Sequence, residues 1–163
     1  MNFTFDWNET FFILSSLVSL TIFFILPKRF NGFVTFFIWL FAIVYIETID
    51  YTLGVKPYDL YDFLDGPKYQ PTTAFAHFAL YPSCAYIFLY FYDKWGLKGI
   101  SLLMYIVVWT VISVFYEWLC VLNEVLHYKE WKIFYSIPTY PISCFIMIKL
   151  FQFIKQNFKH SPH

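Results

Sequence analysis

Apolar residues run along this chain in five long blocks separated by short polar segments. The blocks cover about 9–26, 32–53, 72–92, 99–122 and 133–153. A bilayer core about 30 Å thick needs about 20 mostly apolar residues in a helix, and each block approaches or meets that length. The first block does so only if Asn8 to Thr10 extend it. The segments "PKRFNG" (27–32), "DKWGLKG" (93–99) and "NEVLHYKEWK" (123–132) have the composition and length of connections between antiparallel helices. The pattern predicts an all-α polytopic transmembrane bundle of five helices, a single membrane domain over 1–163. The longest connection, "GVKPYDLYDFLDGPKYQP" (54–71), is predicted to lie along the membrane surface as a short interfacial helix.

Composition agrees with this pattern. Of 163 residues, 60% are hydrophobic and 26% aromatic, while only 13% are charged. Soluble domains carry about one quarter charged residues, so one soluble core of this size has no room for so much apolar surface. The start "MNFTFDWNET" is acidic, and no small-residue cleavage pattern follows the first block. That block is therefore expected to be a retained span. Cys84, Cys120 and Cys144 show no metal-ligand spacing, and at least two of them, deep inside apolar blocks, read as small buried side chains.

The formal net charge is zero, and without a basic block there is no footprint for nucleic acid. Lys28, Arg29, Lys94, Lys98, Lys155 and Lys159 fall at one end of the bundle. Lys56, Lys68, Lys129 and Lys132 fall at the other, in longer loops. Basic residues favour the cytoplasmic side, which predicts an outside N-terminus and a cytoplasmic C-terminus. Every acidic residue except Asp93 belongs to the outer half. Neutrality thus conceals an acidic outer face that attracts cations. Lys149, near the inner end of the fifth block, is expected to snorkel to the interface.

Several polar residues sit inside the apolar blocks, where a lipid-facing helix wants none. At 1.5 Å per residue, Glu47, His77 and Glu117 each lie roughly 8–9 Å below the outer end of their helices. Ser136 and Tyr140 bracket the same level of the fifth block. Glu47 and Asp50 are about 60° apart around their helix, and Glu117, Cys120, Glu124 and His127 span about 80° if the fourth helix continues past the membrane. A charge at the bilayer centre costs on the order of 2.5–3.5 kcal/mol on insertion scales, so these groups are expected to converge inside the bundle. Glu47, Asp50, His77 and Glu117 form the candidate intramembrane site, with Glu124 and His127 on its outer rim.

Two interpretations compete. In one, the carboxylates are interhelical glue, each contact worth roughly 1 kcal/mol or less. In the other, carboxylates and imidazole hold a divalent cation or a cationic or polyol head group. The Glu124-x-x-His127 spacing occurs in carboxylate-bridged metal sites, but a single copy argues against a dimetal centre, and the metal and cofactor are left unassigned. Asp59, Asp62 and Asp65 lack calcium-loop spacing and read as a solvated helical face. Pro82, Pro138 and Pro141 each remove a helical hydrogen bond, which predicts kinks and a polar or wet interior beside them. No HExxH, GxSxG, Walker or GxGxxG pattern occurs, so no catalytic residue is assigned.

The segments "YIFLYFYDKW", "FYEW" and "YKEWKIFYSIPTYPI" resemble a family of small membrane proteins of about five spans from Gram-positive, often spore-forming, bacteria. The resemblance covers roughly 58–153; the first two spans match only in hydropathy. It implies a multi-pass protein of the bacterial cytoplasmic membrane. It also singles out Glu117, Trp131, Tyr135, Ser136, Pro138 and Tyr140. The family pattern has Asp where this chain has His77. The family carries no assigned activity, so the resemblance implies an architecture and nothing about a substrate.

The leading functional expectation is a non-enzymatic membrane component that works through a membrane-protein partner or self-association in the lipid bilayer. The first alternative is a small ligand- or cation-binding protein or transporter subunit using the outer polar layer. The second is a membrane-surface enzyme acting on lipid or envelope material, with Glu117 as base and His77 as its partner.

Overall fold

A computed structural model describes residues 5–66 and 70–158; Lys68 and Lys159, used above for orientation, lie outside the described residues. Five helices form: α1 (Trp7–Ile25), α2 (Gly32–Gly54), α3 (Pro71–Trp95), α4 (Gly99–Leu122) and α5 (Ile133–Asn157). All five are long and apolar enough to cross a membrane. Local chemistry sets their ends. Glu9 Oε2 accepts the Asp6 backbone N–H at 2.8 Å before α1, one arm of a capping box. Asn31 Oδ1 accepts the Val34 N–H at 2.8 Å to open α2. Pro71 occupies the first turn of α3, where its missing N–H costs nothing. Gly96 ends α3 in the left-handed conformation (φ 57°), which an L side chain resists. Pro138 and Pro141 fall within the first turns of α5, which continues through both.

α3 is the axis of the bundle, the most buried of the five. It packs against α1 and α2, while α4 pairs with α5. At one end Ile38, Leu89, Ile148 and Phe151 form a core with Tyr86 and Tyr105, and the Tyr105 hydroxyl donates to the Phe88 carbonyl at 2.6 Å. There Asp93 binds Arg29 at 2.6 Å and also Lys155, tying the α1–α2 connection to the ends of α3 and α5. α4 turns Leu103, Val107, Val111 and Phe115 outward, a face suited to acyl chains.

The opposite end departs from expectation. The described residues between α2 and α3 form no interfacial helix. Instead β1 (Tyr61–Phe63) pairs antiparallel with β2 (Leu126–Tyr128), in the register Tyr61–Tyr128, Asp62–His127 and Phe63–Leu126. Pro57 and Gly66 punctuate the segment, and Asp59 and Leu64 take positive φ (49° and 52°), so a helix cannot run through it. The two short strands satisfy each other's backbone groups over the bundle end. Phe12, Leu64, Ala76, Leu80 and Val125 pack with Tyr61 and Leu126 of the strands.

α4 likewise stops at Leu122 rather than continuing outward. The Asn123 amide donates to the Leu119 carbonyl at 2.8 Å, and Glu124 turns left-handed at φ 56°. The helical i, i+3 face of Glu124 and His127 therefore does not form; Glu124 lies in the turn and His127 in β2, both exposed. Nor do Asp59, Asp62 and Asp65 make a helical face. Asp59 and Asp62 grip Lys129 at 2.6 and 2.9 Å across the ribbon, and Asp65 accepts the Asn8 amide at 3.2 Å.

Candidate functional site

The polar residues inside the helices form two clusters. In the first, His77 on α3 is held between two carboxylates of α2. Its Nδ1 lies 2.8 Å from Glu47 Oε1 and its Nε2 lies 3.1 Å from Asp50 Oδ2. The carboxylates take opposite ring nitrogens because α2 places them one turn apart on the face toward α3. The imidazole thus separates them instead of letting them converge. The Tyr61 hydroxyl of β1 donates to Asp50 Oδ1 at 2.7 Å.

Glu117 of α4 anchors the second cluster and is nearly buried, with 7% exposure. Its Oε1 accepts from the Ser136 hydroxyl at 2.7 Å, the Trp131 indole N–H at 3.3 Å and the Tyr128 hydroxyl. Its Oε2 accepts from the Tyr140 hydroxyl at 2.8 Å. Trp131 Nε1 also lies 3.1 Å from Ser136 Oγ. Four donors drawn from β2, the ribbon's exit and α5 therefore meet one carboxylate of α4. This is the donor set that an acceptor-only group requires when it leaves water.

Tyr61 and Tyr128 lie outside the spans, and both phenols are raised well above their ordinary value. Burial is the larger cause in each; the carboxylate beside it, Asp50 or Glu117, adds to it. Both hydroxyls therefore keep their protons and act as donors. Hydrogen bonds to Asp59 and Asp62 raise the Lys129 ammonium from its ordinary value.

Between the clusters lies a cavity of about 260 Å³, against about 10–15 Å³ for a cavity that admits one water. α2, α3, α4 and α5 wall it together with Phe12 of α1, and the ribbon roofs it. Asp50, Glu117, Tyr61, Trp131 and Ser136 line it toward the ribbon; Tyr45 and Ser143 follow along α2 and α5, and Ala42, Ala85 and Met147 lie furthest from the ribbon. Ala42 to Asp50 spans roughly 12 Å of α2 at the helical rise, so the cavity is an elongated chamber with both its charged groups at one end and Ala42, Ala85 and Met147 at the other.

The predicted residues thus divide. Asp50 and Glu117 reach one chamber; Glu47 and His77 stand behind Asp50 and do not line it. Cys120 lines it, as do Trp131, Ser136 and Tyr140. Tyr135 is exposed and stacks edge-on against Trp131 at 5.5 Å between ring centroids. Pro138 is exposed on α5. Lys149 is exposed and lies over the Phe145 ring at 5.2 Å. Among the described residues, no three His, Cys, Asp or Glu side chains form a group able to hold a metal ion.

Sequence reasoning missed Tyr61 and Tyr128, which nothing marks among 14 tyrosines. It also missed Glu9, a fully buried carboxylate whose Oε1 has no partner among the described residues. The Asp6-x-x-Glu9 capping pattern was the available signal for its place at the head of α1.

Comparisons with family models, with characterised proteins and with solved structures give no match to this chain.

Proposed function

We propose that this protein is a non-enzymatic component of a bacterial cytoplasmic membrane that holds a small amphiphilic molecule in the chamber beneath its ribbon. The observation that carries the reading is the chamber's polarity gradient. Its floor is apolar, and its roof end presents two carboxylates, Asp50 and Glu117, already oriented by phenol, indole and imidazole groups. Binding sites of this kind are concave and mostly apolar, with few, fixed polar groups. Interhelical glue alone would fill such a space with side chains, because interiors pack densely.

The ligand reaches the chamber from the bilayer between α2 and α5. α2 leans on α3 and α5 on α4; between them the Tyr45 and Ser143 hydroxyls meet at 2.8 Å. The lysine and arginine distribution supports an outside N-terminus, which puts the chamber in the outer leaflet. The resemblance to Gram-positive membrane proteins supports the bacterial assignment.

The test compares wild-type protein with Ala85→Phe, which plugs the chamber floor. Both are extracted into mild detergent and assayed for co-purified small molecules by native mass spectrometry. The reading expects a bound mass on wild type that the folded plug variant lacks. Equal bound mass on both, or none on wild type after lipid supplementation, rejects it.

A further inference from the structure

The chamber also selects the head group of what it holds. Among the described lining residues there is no lysine, arginine or histidine. The charged side chains on its wall are Asp50 and Glu117, and the other polar groups at or near that end are hydroxyls and an indole. An anionic head group would meet two carboxylates on a wall that carries no basic side chain of its own, since His77 stands behind Asp50, a like-charge contact at low dielectric. A hydroxyl or ammonium would meet acceptors.

Acceptor capacity remains. An ionised carboxylate offers about four lone-pair sites. Among the described residues, Glu117 Oε1 takes three donors, whereas Oε2 takes only the Tyr140 hydroxyl. Among the same residues, Asp50 Oδ1 takes only the Tyr61 hydroxyl. Each of these oxygens has a free site, and each belongs to a residue of the chamber wall.

We infer that the site is specific for amphiphiles whose head donates hydrogen bonds, a neutral alcohol or a primary ammonium on an apolar chain, and that it discriminates against carboxylate and phosphate heads. The inference rests on the chamber reading above and narrows it to a ligand class. Glu117 is the principal acceptor and Asp50 the second; the apolar chain lies toward Ala42, Ala85 and Met147.

The experiment uses the full chain in nanodiscs of uncharged phosphatidylcholine, with empty nanodiscs correcting for partition. Decanol, decylamine and decanoate are titrated at about pH 8, where the amine is protonated and the acid ionised. Binding is read by native mass spectrometry for wild type, Ala85→Phe, Glu117→Gln and Asp50→Asn. The expected result is decylamine and decanol binding at least about tenfold tighter than decanoate, a difference of about 1.4 kcal/mol. Ala85→Phe should abolish binding, and Glu117→Gln should weaken decylamine more than decanol. If Glu117→Gln fails to fold, Asp50→Asn carries the same comparison. Decanoate binding as tightly as decylamine, with both lost in Ala85→Phe, overturns the head-group inference and leaves the chamber reading standing. Failure of all three probes to exceed the plugged variant overturns both.

Discussion

Tyr61 and Tyr128 face each other directly across the two-stranded ribbon, and each hands its hydroxyl to a different buried carboxylate, Asp50 on α2 and Glu117 on α4. The pair pins the roof of the chamber to two separate helices. A change at either carboxylate therefore acts on the roof as well as on the wall.

Tyr61→Phe and Tyr128→Phe are each expected to lower stability by about 1–3 kcal/mol, the cost of leaving a buried polar group short of a partner. Tyr128→Phe should be the milder, because Glu117 keeps Ser136, Trp131 and Tyr140. Thermal unfolding in one detergent measures both. A larger loss in Tyr128→Phe than in Tyr61→Phe contradicts the donor assignment.

Glu117→Leu is expected to cost about 2–4 kcal/mol, since it strands four donors inside the bundle. Glu117→Gln keeps one acceptor oxygen and should cost less than half as much. Equal melting temperatures for the two variants would mean that the four contacts add nothing to stability.

The alkaline limb of stability follows from the ribbon tyrosines. Their folded values lie above the ordinary 10.0, so between the unfolded and folded values the native state holds more protons. Their contribution is complete below about pH 10 and is lost as pH rises through the folded values. Lys129 is raised as well, and its contribution fades in the same direction. The melting temperature should be flat from neutral pH to about pH 9.5 and then fall. The Tyr61→Phe, Tyr128→Phe double variant should fall less steeply over that limb. An equal slope would rule the tyrosines out as its source.

By contrast, Lys129→Met is expected to leave the melting temperature nearly unchanged, because the ammonium that pairs with Asp59 and Asp62 is open to solvent. A larger loss, sensitive to salt, would show that the ribbon depends on these ion pairs rather than on the tyrosines beneath it.

The spans were legible because a run of apolar residues long enough to cross a bilayer has few other uses. Asp93 and Lys155 explain the main boundary difference: polar residues at a helix end hide the last turns of α3 and α5, which run to Trp95 and Asn157. Glu117 was legible because a charge within an apolar block demands partners. The ribbon was not. Three-residue strands carry no measurable period, and their partners lie far apart in sequence. Without the ribbon, Glu124 and His127 looked helical, and the convergence of Tyr61 and Tyr128 on the two carboxylates could not be foreseen. The separation of Glu47 and Asp50 by the His77 ring was equally hidden, since helical spacing gives a shared face but not what stands between two side chains.

The most direct measurement of the chamber's role is an experimental structure of the protein with a decylamine brominated at its chain terminus, located by the bromine's anomalous scattering. The account predicts one bromine peak at the floor formed by Ala42, Ala85 and Met147, with the amine within hydrogen-bonding distance of Glu117 or Asp50. Bromine found only on the outer face of α4, with Tyr81 and Tyr140 collapsed across an empty chamber, would contradict it.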